Sequence, residues 1–200
     1  MIGLPEARHK EINMLTSLGI IVGIAVLVGL YVIVTYNSLV RSQHMVEEAW
    51  SGIDVQLKRR ADLIPNIVET VKGFAAHEKE GLVAVTDMRA RAQSIEANDV
   101  AGRAEAEGML GQALGRLIAV AEAYPDLKSN ENYRDLQATL AKMESEIQMA
   151  RRYFNGSARE MNVKVESFPS NLVADRFDFV QAVYFELEDP GDEELPEVKF

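Results

Sequence analysis

LKRRADLIPN, residues 57–66, determines whether the first half of the chain forms one long helix or two. A proline inside a helix removes one backbone hydrogen bond and clashes with the carbonyl four residues earlier, here that of Ala61. The apolar pattern keeps its helical phase across Pro65, so we predict a kink in a continuous helix. The alternative is a break, with Asp62 as the cap of a new helix and Pro65 in its first turn.

The pattern around this stretch places apolar or small residues three or four positions apart, which is typical of a helix that buries one face. The stripe consists of Leu39, Val46, Trp50, Ile53, Leu57, Ala61, Ile64, Val68, Val71, Ala75, Leu82, Val85 and Ala92. Polar residues interrupt it at Gln43, Glu78 and Arg89. The heptad-like spacing predicts coiled-coil packing against other helices.

Lys58, Arg59 and Arg60 are the cations of the opening stretch. Their grouping makes them candidate contacts for an acidic protein partner. The same side chains can instead form ion pairs to neighbouring helices. A lipid headgroup patch is excluded if the helix continues straight from the membrane, because the cations then lie beyond a Debye length of about 8 Å.

Two further helices are predicted. One covers NDVAGRAEAEGMLGQALGRLIAVAEAYPDLK (98–128), with Asp99 as its cap and Pro125 at its end. The other begins after SNEN (129–132) and ends at Pro169. The pair Asn155–Gly156 predicts a weak point in it, costing about 1 kcal/mol relative to alanine. The two stripes are Ala106, Leu110, Leu114, Leu117, Ala121 and Tyr124, and then Tyr133, Leu136, Leu140, Met143, Ile147, Ala150, Phe154, Ala158, Met161, Val165 and Phe168.

An uncharged apolar segment precedes these helices. It runs from residue 12 to residue 40, and its centre is MLTSLGIIVGIAVLVGLYVIVTY (14–36). About 20 such residues span a bilayer, whereas the apolar part of a signal peptide has roughly 7–15. We therefore predict an uncleaved transmembrane helix with Tyr31, Tyr36 and Arg41 at the interface.

Small residues in this segment repeat at the four-residue spacing that lets membrane helices approach closely. They are Gly19, Gly23, Ala25 and Gly29. This spacing predicts packing between anchor helices of different copies, and hence a homo-oligomer.

The predicted fold is all-α. A single N-terminal transmembrane helix continues into an antiparallel bundle of long helices: three with a kink at Pro65, or four if the chain breaks there. The predicted segments are a short N-terminal stretch (1–11), the transmembrane helix (12–40), the bundle (41–168) and an extended acidic C-terminal tail (169–200). Alternating apolar residues from Phe177 to Leu187 suit extended chain or a short strand, and the tail is either docked on the bundle or disordered.

Composition limits the chemistry. A formal charge of −10 disfavours nucleic acid as a partner, and the absence of cysteine excludes disulfides and cysteine-ligated metals. His9 with Glu6, and His77 with Glu80, are single pairs rather than complete metal sites. We find no Walker loop, nucleophile elbow or dinucleotide-binding turn. The sequence therefore predicts no catalytic residue, no cofactor and no metal ion.

Three blocks resemble the LemA family of bacterial single-pass membrane proteins. They are WSGIDVQLKRRADLIPNIVETVKGFAAHEKE (50–80), AVAEAYPDLKSNENYRDLQ (119–137) and RRYFN…MN…FPSNLVA (151–174), and the likeness extends from about Asn37 to Ala174. The resemblance implies a membrane helix followed by a helical domain, with a short N terminus outside the cytoplasm. It implies no established molecular function. A member of the family is similar to proteins needed for magnetosome membrane formation, which suggests a role in membrane organisation.

The expected function is a non-catalytic, membrane-anchored scaffold or adaptor that associates with itself and organises membrane or membrane proteins. The expected location is the bacterial inner membrane, with the soluble domain in the cytoplasm, and the expected partners are lipid, further copies of the chain and a membrane protein. The alternative is a regulator or adaptor of a membrane protease or signalling protein. An enzyme with an unrecognised site in the bundle core has only the polar residues Gln43, Glu78 and Arg89 in its favour.

Overall fold

The computed structural model describes residues 4–75 and 77–186, with the side chains of 14–75 and 77–186. In these ranges α-helix is the only regular secondary structure, which confirms the all-α prediction. The far end of the predicted acidic tail and the side chains of Glu6 and His9 lie outside the described residues. The helices are α1 (Leu4–Phe74), α2 (Lys79–Ser94), α3 (Val100–Ala121), α4 (Pro125–Ser129), α5 (Glu131–Glu166) and α6 (Ser170–Arg176).

The described chain divides into two compact units. The first unit comprises residues 4–44 and 161–181, and the second comprises residues 45–160 and 182–186. Each is described by itself below.

Helix α1 does not end at Pro65. The helix is unbroken from Leu4 to Phe74, and Asp62 is an exposed residue inside it. The alternative of a break capped by Asp62 is therefore wrong, while the kink stays a prediction.

A side chain from another helix compensates for the missing amide of Pro65. The carbonyl of Ala61, which the proline cannot reach with a hydrogen bond, accepts one from Arg89 Nε at 2.6 Å. Ala61 is 3% exposed, so this carbonyl would otherwise lie in the core without a partner. Arg89 interrupts the apolar stripe because its guanidinium donates a hydrogen bond to the Ala61 carbonyl, which the proline leaves without a backbone partner.

This contact predicts an energetic coupling between Arg89 and Pro65. Arg89→Met is expected to lower the free energy of unfolding by about 1.5–3 kcal/mol, the usual range for a hydrogen bond from a charged group. In a Pro65→Ala background the amide of residue 65 satisfies the Ala61 carbonyl, so the same change should cost much less. A double-mutant cycle, measured by urea unfolding of the full chain in detergent micelles, gives both values. Equal costs in the two backgrounds would show that Arg89 has another role.

The expected first helix is two helices in the structure. Helix α1 ends at Phe74 and α2 starts at Lys79, so the prediction of one helix reaching Ala92 is wrong. The apolar stripe gives no sign of this turn, because residues before and after the turn belong to the same core cluster. Glu78, at the start of α2, accepts a hydrogen bond from Tyr124 Oη at 2.9 Å, and Gln43 is exposed rather than in the core.

The other helix ends follow local signals. Asp99 caps α3 as predicted, with its carboxylate accepting from the Gly102 amide at 2.8 Å. Pro125 does not close that helix but opens the short α4. Asn130 caps α5 through the Tyr133 amide at 3.0 Å, and α5 remains helical across Asn155 and Gly156.

The second unit has its core between α1, α2, α3 and α5. One cluster combines α1 residues from Ile64 onward with α2, α3, α4 and the start of α5. The other combines Ile53 and Leu57 with Ile147, Phe154 and Phe185. Almost all the residues of the three predicted stripes are buried or half-buried, with Phe168, 79% exposed, as the clear exception.

The first unit contains the apolar segment. Large apolar side chains between Met14 and Val34 are exposed except for the half-buried Val32, whereas Thr35 and Leu39 are buried. Among the described residues, α1 is the one helix long and apolar enough to cross a membrane, with a mean hydropathy of 2.7 over its most apolar window. The chain returns to this unit at residue 161, within α5, and α6 follows there, so the predicted extended region begins with a short helix.

Candidate functional site: a basic groove on helix α5

The predicted cation cluster is split by the structure. Arg60 is 3% exposed and donates a hydrogen bond to Glu144 Oε1 at 2.7 Å and another to Glu107. Arg60 thus forms ion pairs to neighbouring helices, the second of its two predicted roles, and its buried guanidinium is not exposed to a partner. Lys58 pairs with Asp54 one turn earlier, and Arg59 is exposed. A partner contact stays a prediction for Lys58 and Arg59.

Arg60 belongs to a polar layer that joins three helices. The Glu107 carboxylate on α3 accepts from Arg60 through one oxygen and from Arg103 Nε, at 3.0 Å, through the other. Arg103 also lies 3.6 Å from Asp54 on α1, and Glu144 stands on α5. Burial lowers the pKa of Arg60. The carboxylates of Glu144 and Glu107 together raise this pKa by more than burial lowers it, so the pKa is higher than usual. The layer therefore holds α1, α3 and α5 in one register.

The predicted membrane-packing residues are on the open part of α1. Gly19, Gly23, Ala25 and Gly29 are all exposed. A Cβ atom built on any of the three glycines would meet no other atom within 4 Å. Their surface can accept another helix, and the predicted self-association stays a prediction.

Metal ligands are not gathered in the part of the chain that the structure describes. Among those side chains, no group of three or more His, Asp or Glu could hold an ion. His77 is an exposed residue between α1 and α2.

A basic groove lies on α5 instead. Its volume is about 480 Å³, and it is lined by Gln148, Arg151, Arg152, Asn155, Gly156, Arg159 and Tyr184. Among the residues that the structure describes, the lining contains three arginines and no acidic residue, in a chain whose formal charge is −10. The groove is thus a positively charged surface on a protein whose net charge is negative.

One wall of the groove is the C-terminal strap, which we define as residues 182–186. Asn155 fixes it by two hydrogen bonds, accepting from the Phe185 amide at 2.9 Å and donating to the Phe185 carbonyl at 3.2 Å. An amide side chain can satisfy both backbone groups of one extended residue in this way. Asn155, in the pair predicted to be a weak point of α5, therefore attaches the strap to this helix.

Phe185 anchors the strap in the core. Its side chain is fully buried, with its ring centroid 5.8 Å from that of Trp50, which in turn lies 5.6 Å from Phe154. The Arg151 guanidinium lies 5.8 Å above the Phe185 ring, a cation–π distance. Trp50 also donates a hydrogen bond of 2.7 Å from Nε1 to the Ala97 carbonyl. These contacts fix Phe185, and the neighbouring Tyr184 therefore lines the groove.

The arrangement suits the binding of carboxylates. Guanidinium groups bind carboxylates in a bidentate manner, and an aromatic wall offers contact to the chain that carries them. Arg152 and Arg159 are seven residues apart and share a helix face, a signal that the sequence analysis missed. The contribution of Tyr184 had no local signal, since it depends on where Phe185 docks.

Comparison with known proteins identifies relatives of two kinds. The chain is 28% identical over 183 aligned residues to Magnetosome protein MamQ 2 of Paramagnetospirillum magneticum, covering 78% of this chain and 66% of the relative. It is 29% identical, with the same coverage, to Magnetosome protein MamQ of Magnetospirillum gryphiswaldense. It is 28% identical over 150 residues to Protein LemA of Metamycoplasma hominis, covering 75% of this chain and 68% of the relative.

The chain thus spans just under two thirds, 66%, of the length of the MamQ relatives. A family model described as the LemA family matches residues 49–200, which include the α1 core residues from Ala49 onward, the basic groove and the strap. The match covers most of the chain and agrees with the resemblance of the three sequence blocks. This chain belongs to the LemA family.

Proposed function

We propose that this chain is a non-catalytic, membrane-anchored helical scaffold that associates with further copies of itself and organises membrane or membrane proteins. The observation that carries the proposal is the exposed apolar stretch of α1, from Met14 to Val34, in a chain whose other long helices bury their apolar stripes. A lipid bilayer is the environment that covers such a stretch. We place the second unit in the cytoplasm, at the inner membrane.

Self-association is proposed through the anchor helix. Gly19 and Gly23 lie one turn apart on one side of α1, with open space where their side chains would be. In membranes, such small residues allow two helices to pack backbone against backbone. Several anchors brought together in this way would hold several soluble units at one place on the membrane.

Crosslinking of the full chain in native membranes tests this proposal. We expect bands of dimers or larger species for the wild type and their loss in Gly23→Ile, because the added side chain separates the helices. Val28→Phe adds bulk on the opposite side of α1 and should leave the bands unchanged. A monomer band alone in the wild type, or identical bands in all three proteins, would contradict self-association through this face.

The basic groove favours a second candidate function, that of an adaptor or regulator of a membrane protease or signalling protein. In this proposal the arginines of the groove bind an acidic segment of the partner. The three arginines that line the groove, Arg151, Arg152 and Arg159, support it.

The adaptor proposal predicts charge-specific binding of a labelled oligoglutamate peptide to the full chain in micelles. Arg152→Gln with Arg159→Gln should weaken binding by about a hundredfold, if each contact contributes roughly 1.4 kcal/mol. Arg116→Gln with Arg134→Gln removes the same charge from exposed positions outside the groove, and should have a small effect. Equal weakening by both pairs would mean that only net charge matters and would contradict a site in the groove.

A further inference from the structure

An exposed apolar surface follows α5 in the first unit. It consists of Phe168, Leu172, Phe177 and Val180, which we call the apolar wedge, and these side chains are 79%, 60%, 45% and 76% exposed. Isolated exposed apolar residues are common, but four large ones within 13 residues are a candidate interaction surface.

The wedge lies where the apolar stretch of α1 ends. Tyr36 follows Thr35, which is the first buried residue after that stretch. The Tyr36 ring makes edge contacts with Phe177 and Phe179, at centroid distances of 4.9 and 5.7 Å. Tyrosine at the end of a transmembrane stretch typically marks the level of the lipid headgroups.

The direction of the chain supports this position. Lys164 on α5 donates a hydrogen bond to Ser42 on α1, and Phe177 reaches Tyr36. From residue 164 to residue 177 the chain therefore moves along α1 towards the apolar stretch, by six residues or about 9 Å of helix. The wedge is carried by the part of the chain that makes this approach.

The backbone holds the wedge in a defined orientation. Helix α6 turns Val173 and Ala174 inward, where they are 5% and 0% exposed, and leaves Leu172 outward. After α6, the Phe179 amide donates to the Ala174 carbonyl at 3.0 Å across Asp178, whose φ is 58°. Aspartate is one of the few residues other than glycine that adopt this left-handed conformation readily. The turn returns Phe179 to Tyr36 and leaves Val180 exposed.

We propose that the apolar wedge inserts into the boundary between headgroups and acyl chains of the same bilayer that α1 spans, and so gives the protein a second membrane contact. The proposal rests on the proposed membrane anchoring of α1. The continuity of the wedge with the exposed apolar stretch, through Tyr36, identifies lipid rather than protein as the occupant.

The charges around the wedge define which lipid property it recognises. Arg176 lies 5.8 Å above the Phe177 ring and can extend its guanidinium to the phosphates. Asp175 and Asp178 flank it and offset its charge. Insertion is therefore driven by burial of apolar surface and should depend little on the fraction of anionic lipid.

The experiment uses single cysteines, because the natural chain has none. Full chains carrying Phe168→Cys, Leu172→Cys or Val180→Cys are labelled with an environment-sensitive fluorophore and reconstituted in vesicles of phosphatidylcholine, with or without phosphatidylglycerol. Leu18→Cys is the control for a position in the bilayer, because Leu18 lies inside the apolar stretch and is 57% exposed. Met149→Cys is the control for a position in water, because Met149 is 52% exposed in the second unit. Quenching by doxyl-labelled lipid and by aqueous iodide is then measured at each position.

We expect the three wedge positions to be quenched by lipid with a shallow doxyl label and to lose iodide quenching, equally in both lipid mixtures. Lipid quenching at Leu18 without any at the wedge would overturn the wedge while leaving the anchor intact. No lipid quenching at Leu18 would instead overturn the anchor, and the wedge with it. Wedge positions protected from both quenchers would show that protein covers them, which also overturns the proposal.

Discussion

Arg60→Met is expected to lower the free energy of unfolding by about 3–5 kcal/mol, the range for breaking a buried ion pair on one side. The guanidinium joins Glu107 on α3 to Glu144 on α5, and methionine of similar length restores neither bond. Glu107, whose side chain is 2% exposed, would keep only its contact with Arg103. Urea unfolding of the full chain in micelles, followed by circular dichroism, measures the loss.

The neighbouring residue provides the control. Arg59 is exposed, so Arg59→Met should change stability by no more than about 0.5 kcal/mol. The double variant Arg60→Met, Glu107→Gln should lose less than the sum of its parts, because the buried carboxylate is removed together with its partner. Equal losses for Arg59→Met and Arg60→Met would show that the polar layer does not stabilise the bundle.

Phe185→Ala is expected to detach the strap from α5. Removing a buried phenylalanine side chain costs about 3–5 kcal/mol, more than two neutral hydrogen bonds from Asn155 can offset. Trp50 is the single tryptophan of the chain and lies against Phe185, so its emission should shift to longer wavelength as water reaches the ring. Fluorescence of the full chain reports this change directly.

Val183→Ala is the matched control for the strap, since Val183 is 58% exposed. It should leave the emission of Trp50 unchanged, while Asn155→Ala should give a partial shift because the Phe185 side chain remains. Detachment also removes Tyr184 from the groove, so oligoglutamate binding should weaken in Phe185→Ala. An unshifted emission in Phe185→Ala would contradict the docking of the strap.

The polar layer and the strap have different consequences for function. The layer fixes the register of the helices and is closed to partners, so its variants should change stability and not selectivity. The strap forms a wall of the one basic groove identified in the described residues, so its variants should change binding. Measuring both properties on Arg60→Met and Phe185→Ala separates structural from binding roles.

Residues that bury a helix face could be predicted from the sequence because apolar spacing reports burial directly. Ile53, Leu57 and Ile64 are 0–1% exposed, and Asp99 caps α3 as its position before an apolar run predicts. The continuity of the stripe across Pro65 correctly favoured one helix at that point. In each case the signal and its cause lie within a few turns of the chain.

Features that depend on distant contacts could not be predicted. The turn between Phe74 and Lys79 leaves no mark on the stripe, because Val71 and Val85 face one core from two helices. The burial of Arg60 depends on Glu107 and Glu144, which are 47 and 84 residues away. The groove depends on Phe185 returning to Trp50, and the wedge on Phe177 returning to Tyr36.

Helix α1 runs without interruption from the exposed apolar stretch to core residues such as Ile64 and Val71. Hydrogen–deuterium exchange of the full chain in lipid nanodiscs tests this continuity at the amides of Asp62, Leu63 and Ile64. In a continuous α1 these amides donate to carbonyls in the preceding turn and exchange slowly, as do those on either side. Fast exchange at these three amides, with protection resuming a few residues later, would show a new helix starting at Asp62 and would contradict the account.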